Sequence, residues 1–441
     1  MNIRPIRFGN TTESGAFEIP EGASDLIPSP DANRIACVVP EKKAVRVEVN
    51  ARRQRVYDAI RGLKFSPDSR AVAYAANHKR GWSVVFDEEE LEPWDEIGPA
   101  SPIISPDSKH VTYTAKRDGF WYAILDEKVM DGPFEMFLPG EIVFSSDSRR
   151  LLYAIRKGAK DFLVVDSIER EGYPRILDRS WRFSPNSIDV AFVPCTAGEW
   201  HADRFVGEAG VMVNRDVDRT WRHDERGQAD RLSNEIYFSP DSEHVAYVVT
   251  QSGQTATILD ARPLAPCDGG VVSGWDSVAA DLPIRDANHA AWKSGSVAFS
   301  PDSRHLAFGV AARGAHRLIV DGIERGAPRA FMRRPILFSP DSARMAYGVQ
   351  HGIRQYVVLD GKQMESFDSI APVEWSFSPN SAHFACIGLH GNQYHLMVDS
   401  GLRLLQGVPV AGSRIVWEDD DHLHLLVTQG RKATAVRHGI G

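Results

Sequence analysis

Cysteine is scarce: four residues in 441 cannot build a disulfide-dense fold. None of Cys37, Cys195, Cys267 and Cys386 makes an obvious pair, so free thiols in a reducing compartment are expected. No apolar run approaches the roughly eighteen residues of a membrane-spanning helix. The opening Met1–Arg7 lacks the apolar stretch of a secretory signal. These absences predict a soluble cytoplasmic protein without membrane association; a periplasmic or secreted location is the alternative if a leader was removed. Positive charge is also short, with 51 Lys and Arg against 59 Asp and Glu and a net charge of −8. That balance argues against nucleic-acid binding. There is no low-complexity segment, no nucleophile with an oxyanion signature, and no ligand spacing that marks a metal site.

What the chain has in abundance is one turn. Phe65-Ser66-Pro67-Asp68-Ser69 returns at Ile104–Ser108, Phe144–Ser148, Phe183–Ser187, Phe238–Ser242, Phe299–Ser303, Phe338–Ser342 and Phe377–Ser381, with steps of 39, 40, 39, 55, 61, 39 and 39 residues. A fixed period near forty marks a repeat architecture. Proline presets φ for a tight turn, and Ser and Asp side chains bond nearby backbone N–H groups. Behind each turn runs an alternating pair such as Val72/Tyr74, Val111/Tyr113 or Leu151/Tyr153, the pattern of a strand with one buried face. Thirteen residues on, a second apolar run ends at Asp87, Asp126, Asp166, Asp260, Asp321, Asp360 or Asp399, with Asn214 delayed by an insertion. A fourth short strand is expected at segments such as Tyr57-Asp58-Ala59-Ile60 and Phe367-Asp368-Ser369-Ile370. The unit is four antiparallel strands, a to d, which makes a propeller blade.

The turn followed by its alternating strand resembles the WD-repeat-like blades of the TolB type. That resemblance covers nearly the whole chain and implies fold, not function. Ser29-Pro30-Asp31 opens a first blade, and Glu418-Asp419-Asp420-Asp421-His422 is an eroded tenth turn. The tenth blade lacks strand d, which Ala16–Ile19 is expected to supply, closing the ring. The expectation is an all-β, single-domain propeller of ten blades in one ring over residues 1–441; the alternative is two five-bladed rings. Cys37 and Cys386 fall in buried strands, Cys195 and Cys267 in loops.

Insertions break the period near 194–208, 222–235, 261–270 and 279–296, and three of the four map to the end that carries the b–c and d–a connections, the top. Departures from a repeat are where a site is most readily added. The candidates there are Trp200, His201, Asp203, Arg204, Arg222, His223, Arg285, His289 and Trp292, because aromatic and Arg side chains make binding hot spots; Trp221 falls on a core column. Basic b–c tips (Lys79-Arg80, Lys116-Arg117, Arg156-Lys157) and acidic c–d turns (Asp87 to Glu90, Asp126-Glu127) would steer an anionic partner to the top. The leading expectation is a binding scaffold for a protein or peptide partner, needing no cofactor. The alternatives are a lyase or hydrolase with a His and carboxylate site at the channel mouth, marked by two of His201, His223 and His289 converging, and, more weakly, small-ligand or glycan binding over Trp200 and Trp292.

Overall fold

The computed structural model describes residues 8–440 apart from 141, 202–203, 215, 225–230, 252–253, 261, 268–296, 313–314, 327, 329, 333–335 and 372–374. Among them there is no helix; every regular element is a strand. The strands form ten antiparallel sheets, each with the a-b-c-d order of a propeller blade. Blades 1 to 9 span Ser24–Tyr57, Ala59–Glu90, Glu96–Phe134, Met136–Tyr173, Arg175–Asp224, Arg231–Cys267, Val297–Gly326, Leu337–Phe367 and Ser369–Leu404. Blade 10 is Val408–Ile440 with Phe8–Glu18 as its strand d.

The chain divides into two compact units of five blades: blades 1, 2, 8, 9 and 10 in one, blades 3 to 7 in the other. The first draws on both chain ends. Its closing strand Phe8–Glu18 runs the full length of strand c, from Phe8 opposite Ile440 to Glu18 opposite Lys432. It is longer than the Ala16–Ile19 expected, because all of strand c needs its outer edge paired.

Strand d lies earlier than the sequence pattern suggested. It is Arg52–Tyr57 in blade 1 and Lys362–Phe367 in blade 8, and the following Ala59-Ile60 and Ser369-Ile370 already belong to the next blade. The crossing point is the Asp between them. The Asp58 N–H donates to the Asn77 carbonyl (2.9 Å) and the Asp368 N–H to the Leu389 carbonyl (2.9 Å), each on strand b of the blade ahead. Strand d starts early because its connection to c is only two residues. Asp321-Gly322 and Asp360-Gly361 both have positive φ, the signature of a type I′ hairpin turn. Asp tolerates that conformation better than most residues.

The Ser-Pro-Asp-Ser turn fixes each blade to its neighbour. In blade 4, Ser145 is fully buried; its hydroxyl donates to Asp147 (2.6 Å) and accepts the Arg150 N–H (2.9 Å). The fourth residue, Ser148, sits at φ 64° and its hydroxyl accepts the Asp107 N–H from blade 3 (3.0 Å). The same bond recurs from Asp147 to Ser187, Asn186 to Ser242 and Asp241 to Ser303, each at 3.0 Å, through the second unit. In the first unit it joins Asp31 to Ser69 (2.9 Å) and Asp341 to Ser381 (3.0 Å). The eroded tenth turn substitutes chemistry for sequence: Asp420 accepts the Asn380 N–H (3.0 Å), and His424 Nε2 donates to the Asp31 carbonyl (2.6 Å). Between blades, apolar strand faces pack into continuous clusters, for example Leu152, Leu163 and Ile176 of blades 4 and 5 with Trp181 and Phe192.

Burial also reaches thiols and one histidine. Cys195, expected in a loop, is fully buried on a strand, and Cys37 and Cys386 are also buried; none of the three forms a disulfide. Burial pushes the Cys37 thiol up to about 11. His438, 2% exposed, faces Arg403, whose Nη1 lies 3.4 Å from Nδ1. Arg403 also donates to Thr11 Oγ1 (2.7 Å) and the Gly9 carbonyl (2.5 Å), so it clamps the closing strand. Guanidinium only donates, so Nδ1 accepts and the ring is neutral.

Two outcomes follow from these contacts. Ser145→Ala strands the Arg150 N–H and is expected to cost about 1–3 kcal/mol in chemical denaturation, more than Ser148→Ala, which loses a single bond worth about 1 kcal/mol. Desolvation, with Arg403 beside it, lowers His438 from 6.5 to about 4. The unfolded chain therefore binds the extra proton between those values, so stability present above pH 6.5 is lost as pH falls to about 4, by up to roughly 3 kcal/mol, with no further loss below. His438→Gln should flatten that part of the stability profile; an unchanged slope would remove His438 from the account.

Candidate interaction face

The b–c hairpins of the ordinary blades end abruptly. In blade 4 the last pair is Lys157 opposite Lys160. Blade 5 carries on: after a short strand, Val190–Phe192, comes Pro194–His201, paired with Arg204–Val213 and ending at His201 opposite Arg204. One arm is five residues longer than its blade 4 counterpart and the other four. At about 3.3 Å per residue the hairpin projects roughly 16 Å past the blade 4 tip. Strand d, Asp216–Asp224, follows it outward, pairing Arg222 with Glu208 and Asp224 with Val206.

Segments expected as loops near 194–208 and 222–235 are thus largely strand. Blade 6 answers with a long strand a, Arg231–Phe238, and residues 262–267 of the third insertion form its strand d. The fourth insertion, 279–296, lies outside the described residues. The projection has a firm root. Cys195, Ala209 and Val211 are buried against Leu177, Ile236, Tyr247 and Val249. The Val193 N–H donates to Ser180 Oγ (3.1 Å), and the Leu177 N–H to the Val193 carbonyl (2.9 Å).

Of the predicted site residues, Trp200, His201, Arg204, Arg222 and His223 take backbone places on this projection. Trp200 stands opposite Phe205, and His223 opposite Gly207, which is itself opposite Gly198. Their side chains lie outside the described residues, as does that of Trp221. Asp203, Arg285, His289 and Trp292 lie outside them altogether. His201 and His223 are two strands and about three residues apart, roughly 14 Å between backbones at ordinary strand spacing. Among the described residues no group of three or more His, Cys, Asp and Glu is placed to hold a metal.

Charge polarity is weaker than the sequence suggested, because the fold brings opposite charges to both ends. At the top, the Asp118 N–H donates to Asp95 (3.0 Å), Asp161 binds Arg156 through both oxygens (2.6 and 3.0 Å), and Asp368 holds Arg354. The Gly391 N–H, and then Arg354, keep the Asp368 carboxyl below its usual range. Asp161 also accepts the Ile176 N–H (2.9 Å), as Gln355 accepts the Ile370 N–H (2.7 Å), so both serve the strand crossing.

At the bottom, six strand-c Asp residues cap strand b. One oxygen of Asp126, Asp166, Asp260, Asp321, Asp360 and Asp399 accepts the first strand-b N–H, at 2.9–3.1 Å. The other meets His110, Arg150, His244, His305, Arg344 or His383, always sixteen residues back, at 2.7–3.0 Å. The bond to Asp260 raises the His244 pKa. The Arg members reach further: Arg344 donates to the Ser381 (3.0 Å) and Ala382 (2.5 Å) carbonyls and lies 5.5 Å over the Phe377 ring of blade 9. That sixteen-residue spacing was present in the sequence and went unread.

The sheets are the four-stranded antiparallel blades of a β-propeller. No family model matches the chain, and no curated protein matches it. Solved structures similar to it include a eukaryotic initiation factor, 12% identical over 84% of this chain and 95% of that one, with a TM-score of 0.46. TolB from Acinetobacter baumannii is 16% identical over 54% and 64%, TM-score 0.28. The Cps50 (Swd1) β-propeller domain from Myceliophteria thermophila is 11% identical over 98% and 99%, TM-score 0.27. No residue role passes from these to this chain.

Arg344→Ala is expected to cost about 1–3 kcal/mol in denaturant unfolding, since it removes the donor that the Asp360 carboxylate and the Ser381 and Ala382 carbonyls share. Arg344→Lys should recover little of it, because an ammonium cannot serve the carboxylate and both carbonyls together.

Proposed function

We propose that the protein is a binding scaffold that holds a protein or peptide partner on the top of blades 5 and 6. The observation that carries this reading is the three-stranded projection of blade 5, rooted in the core between those blades. A lone hairpin is marginal in water; three hydrogen-bonded strands on a packed root make a firm platform instead. Trp200, His201, Arg204, Arg222 and His223 stand along it, the residue types that anchor interfaces. Asp203, Arg285, His289 and Trp292 are proposed to complete the surface. At the top, anionic character in the partner is proposed for this projection, since carboxylates already engage Arg156 and Arg354 at other tips. The separation of His201 and His223 along the sheet favours binding over acid–base chemistry.

The test is site-specific photo-crosslinking in native lysate, with the reactive residue at Trp200, at Arg222 and, as a bottom control, at Arg304. A discrete adduct from the first two positions and not the third is expected, lost when residues 198–207 are replaced by a tight turn. Equal adducts at Arg304, or persistence after the deletion, would move the interface away from this projection.

A further inference from the structure

The bottom rim of blades 3 to 5 breaks the repeat in a second way. After the fourth turn serine the second unit has Lys109, Arg149, Glu243 and Arg304, but blade 5 has Ile188, 69% exposed. Two residues past the strand-c carboxylate, blade 3 has Lys128 and blade 6 Arg262, but blade 4 has Ile168, 64% exposed, and blade 7 has Ile323, away from this rim. Ser167 Oγ donates to the Met130 carbonyl (3.2 Å), which sets Ile168 beside strand d of blade 3, where Val129 and Met130 are also exposed. Single exposed apolar residues are ordinary; four along one rim are not.

This strip borders a cleft of about 260 Å³ between blades 4 and 5, walled by Leu163, Val165 and Val190 and rimmed by Ile188, Arg150 and Arg170. Arg150 is fully engaged: it binds Asp166 (2.8 Å) and the Ser187 and Ile188 carbonyls (3.0 Å each), and lies over Phe183. Arg170, two residues along the strand from Ile168, has no carboxylate within ion-pair distance among the described residues. Strand d of blade 4, Ile168–Tyr173, pairs only with strand c among the described residues, so its outer edge is open.

We propose that this rim docks an extended peptide segment of a protein partner, seating one large apolar side chain in the cleft and setting an acidic side chain against Arg170. The cleft is smaller than the roughly 300–1,000 Å³ of ordinary small-ligand sites and suits one side chain. A ligand filling only the cleft would leave Ile168, Val129 and Met130 uncovered, whereas a peptide running along the strand edge covers them. The surface lies at the opposite end of the blades from the projection and stands or falls independently of it.

The test is selection of the full chain against a random library of immobilised dodecapeptides, followed by affinity measurement with Arg170→Glu, Ile168→Asp and Ile188→Asp. Enriched peptides should carry a large apolar residue within three positions of Asp or Glu. Each variant should weaken them by roughly tenfold or more, while shortening the blade 5 hairpin leaves them unchanged. All three positions lie at the surface, and circular dichroism checks their folding; Arg170→Glu alone decides the matter if an isoleucine variant misfolds. No enriched peptide, peptides without acidic residues, binding indifferent to Arg170→Glu, or saturation of the cleft by free octanoate with no peptide binding would each overturn the proposal.

Discussion

A hydroxyl that must be satisfied out of water governs this molecule. The first serine of each turn is buried, and a buried hydroxyl without partners is costly. Here it donates to the turn's Asp and accepts the backbone N–H five residues on, which curls the chain so tightly that the fourth residue is driven to positive φ. That conformation is unfavourable for an L-residue. It is retained because it aims the fourth serine's hydroxyl at the backbone of the preceding blade. One local requirement thus produces the turn, its strained fourth residue and the spacing between neighbours. A period of 39 or 40 residues follows, since each blade must return its turn to the same place.

The bottom of the blades is a second consequence. With the turn placed, the residue before strand b and the end of strand c come together, and the latter must be left-handed to make a two-residue hairpin. Asp suits the backbone, and its carboxylate then has one oxygen for the first strand-b N–H and one for a cation. Position by position that cation is His or Arg. Both reach the next blade: Arg344 donates to its carbonyls, whereas His383 stacks on its Trp417. Blades 2 and 5 lack that cation: Ala71 takes its position in blade 2, while in blade 5 Asp189 and Asn214 bond each other (2.7 Å) and the cleft opens beside them.

The architecture was legible because repetition averages out local ambiguity. Ten noisy copies of turn and strand identify a blade, and the closing strand at the N-terminus followed from counting alone. Four features escaped for physical reasons. Strand d was displaced because Tyr57-Asp58 looks like the middle of a strand, while its Asp marks the crossing between blades. The blade 5 insertion reads as loop because it exceeds the repeat spacing between strands b and c, although the extra residues pair across three strands. Cys195 was misplaced for the same reason. Charge counted along the chain overstates the polarity, because the field depends on partners the fold brings together, sixteen residues apart at the bottom.

The candidate face was legible only as an address. Insertions identify where selection departs from the scaffold, and both departures fall in the unit of blades 3 to 7. They differ in kind. The projection adds paired backbone beyond the core, so its chemistry rests on side chains that the repeat does not constrain. The bottom rim adds no residues at all; it replaces charged turn positions by Ile168 and Ile188 within an unchanged backbone. Such a replacement costs solubility and contributes nothing to packing, since both side chains remain exposed. A repeat that keeps Lys, Arg or Glu at that turn position in four blades of this unit and surrenders it in one has an apolar surface without a packing reason, and a contact outside the chain supplies one.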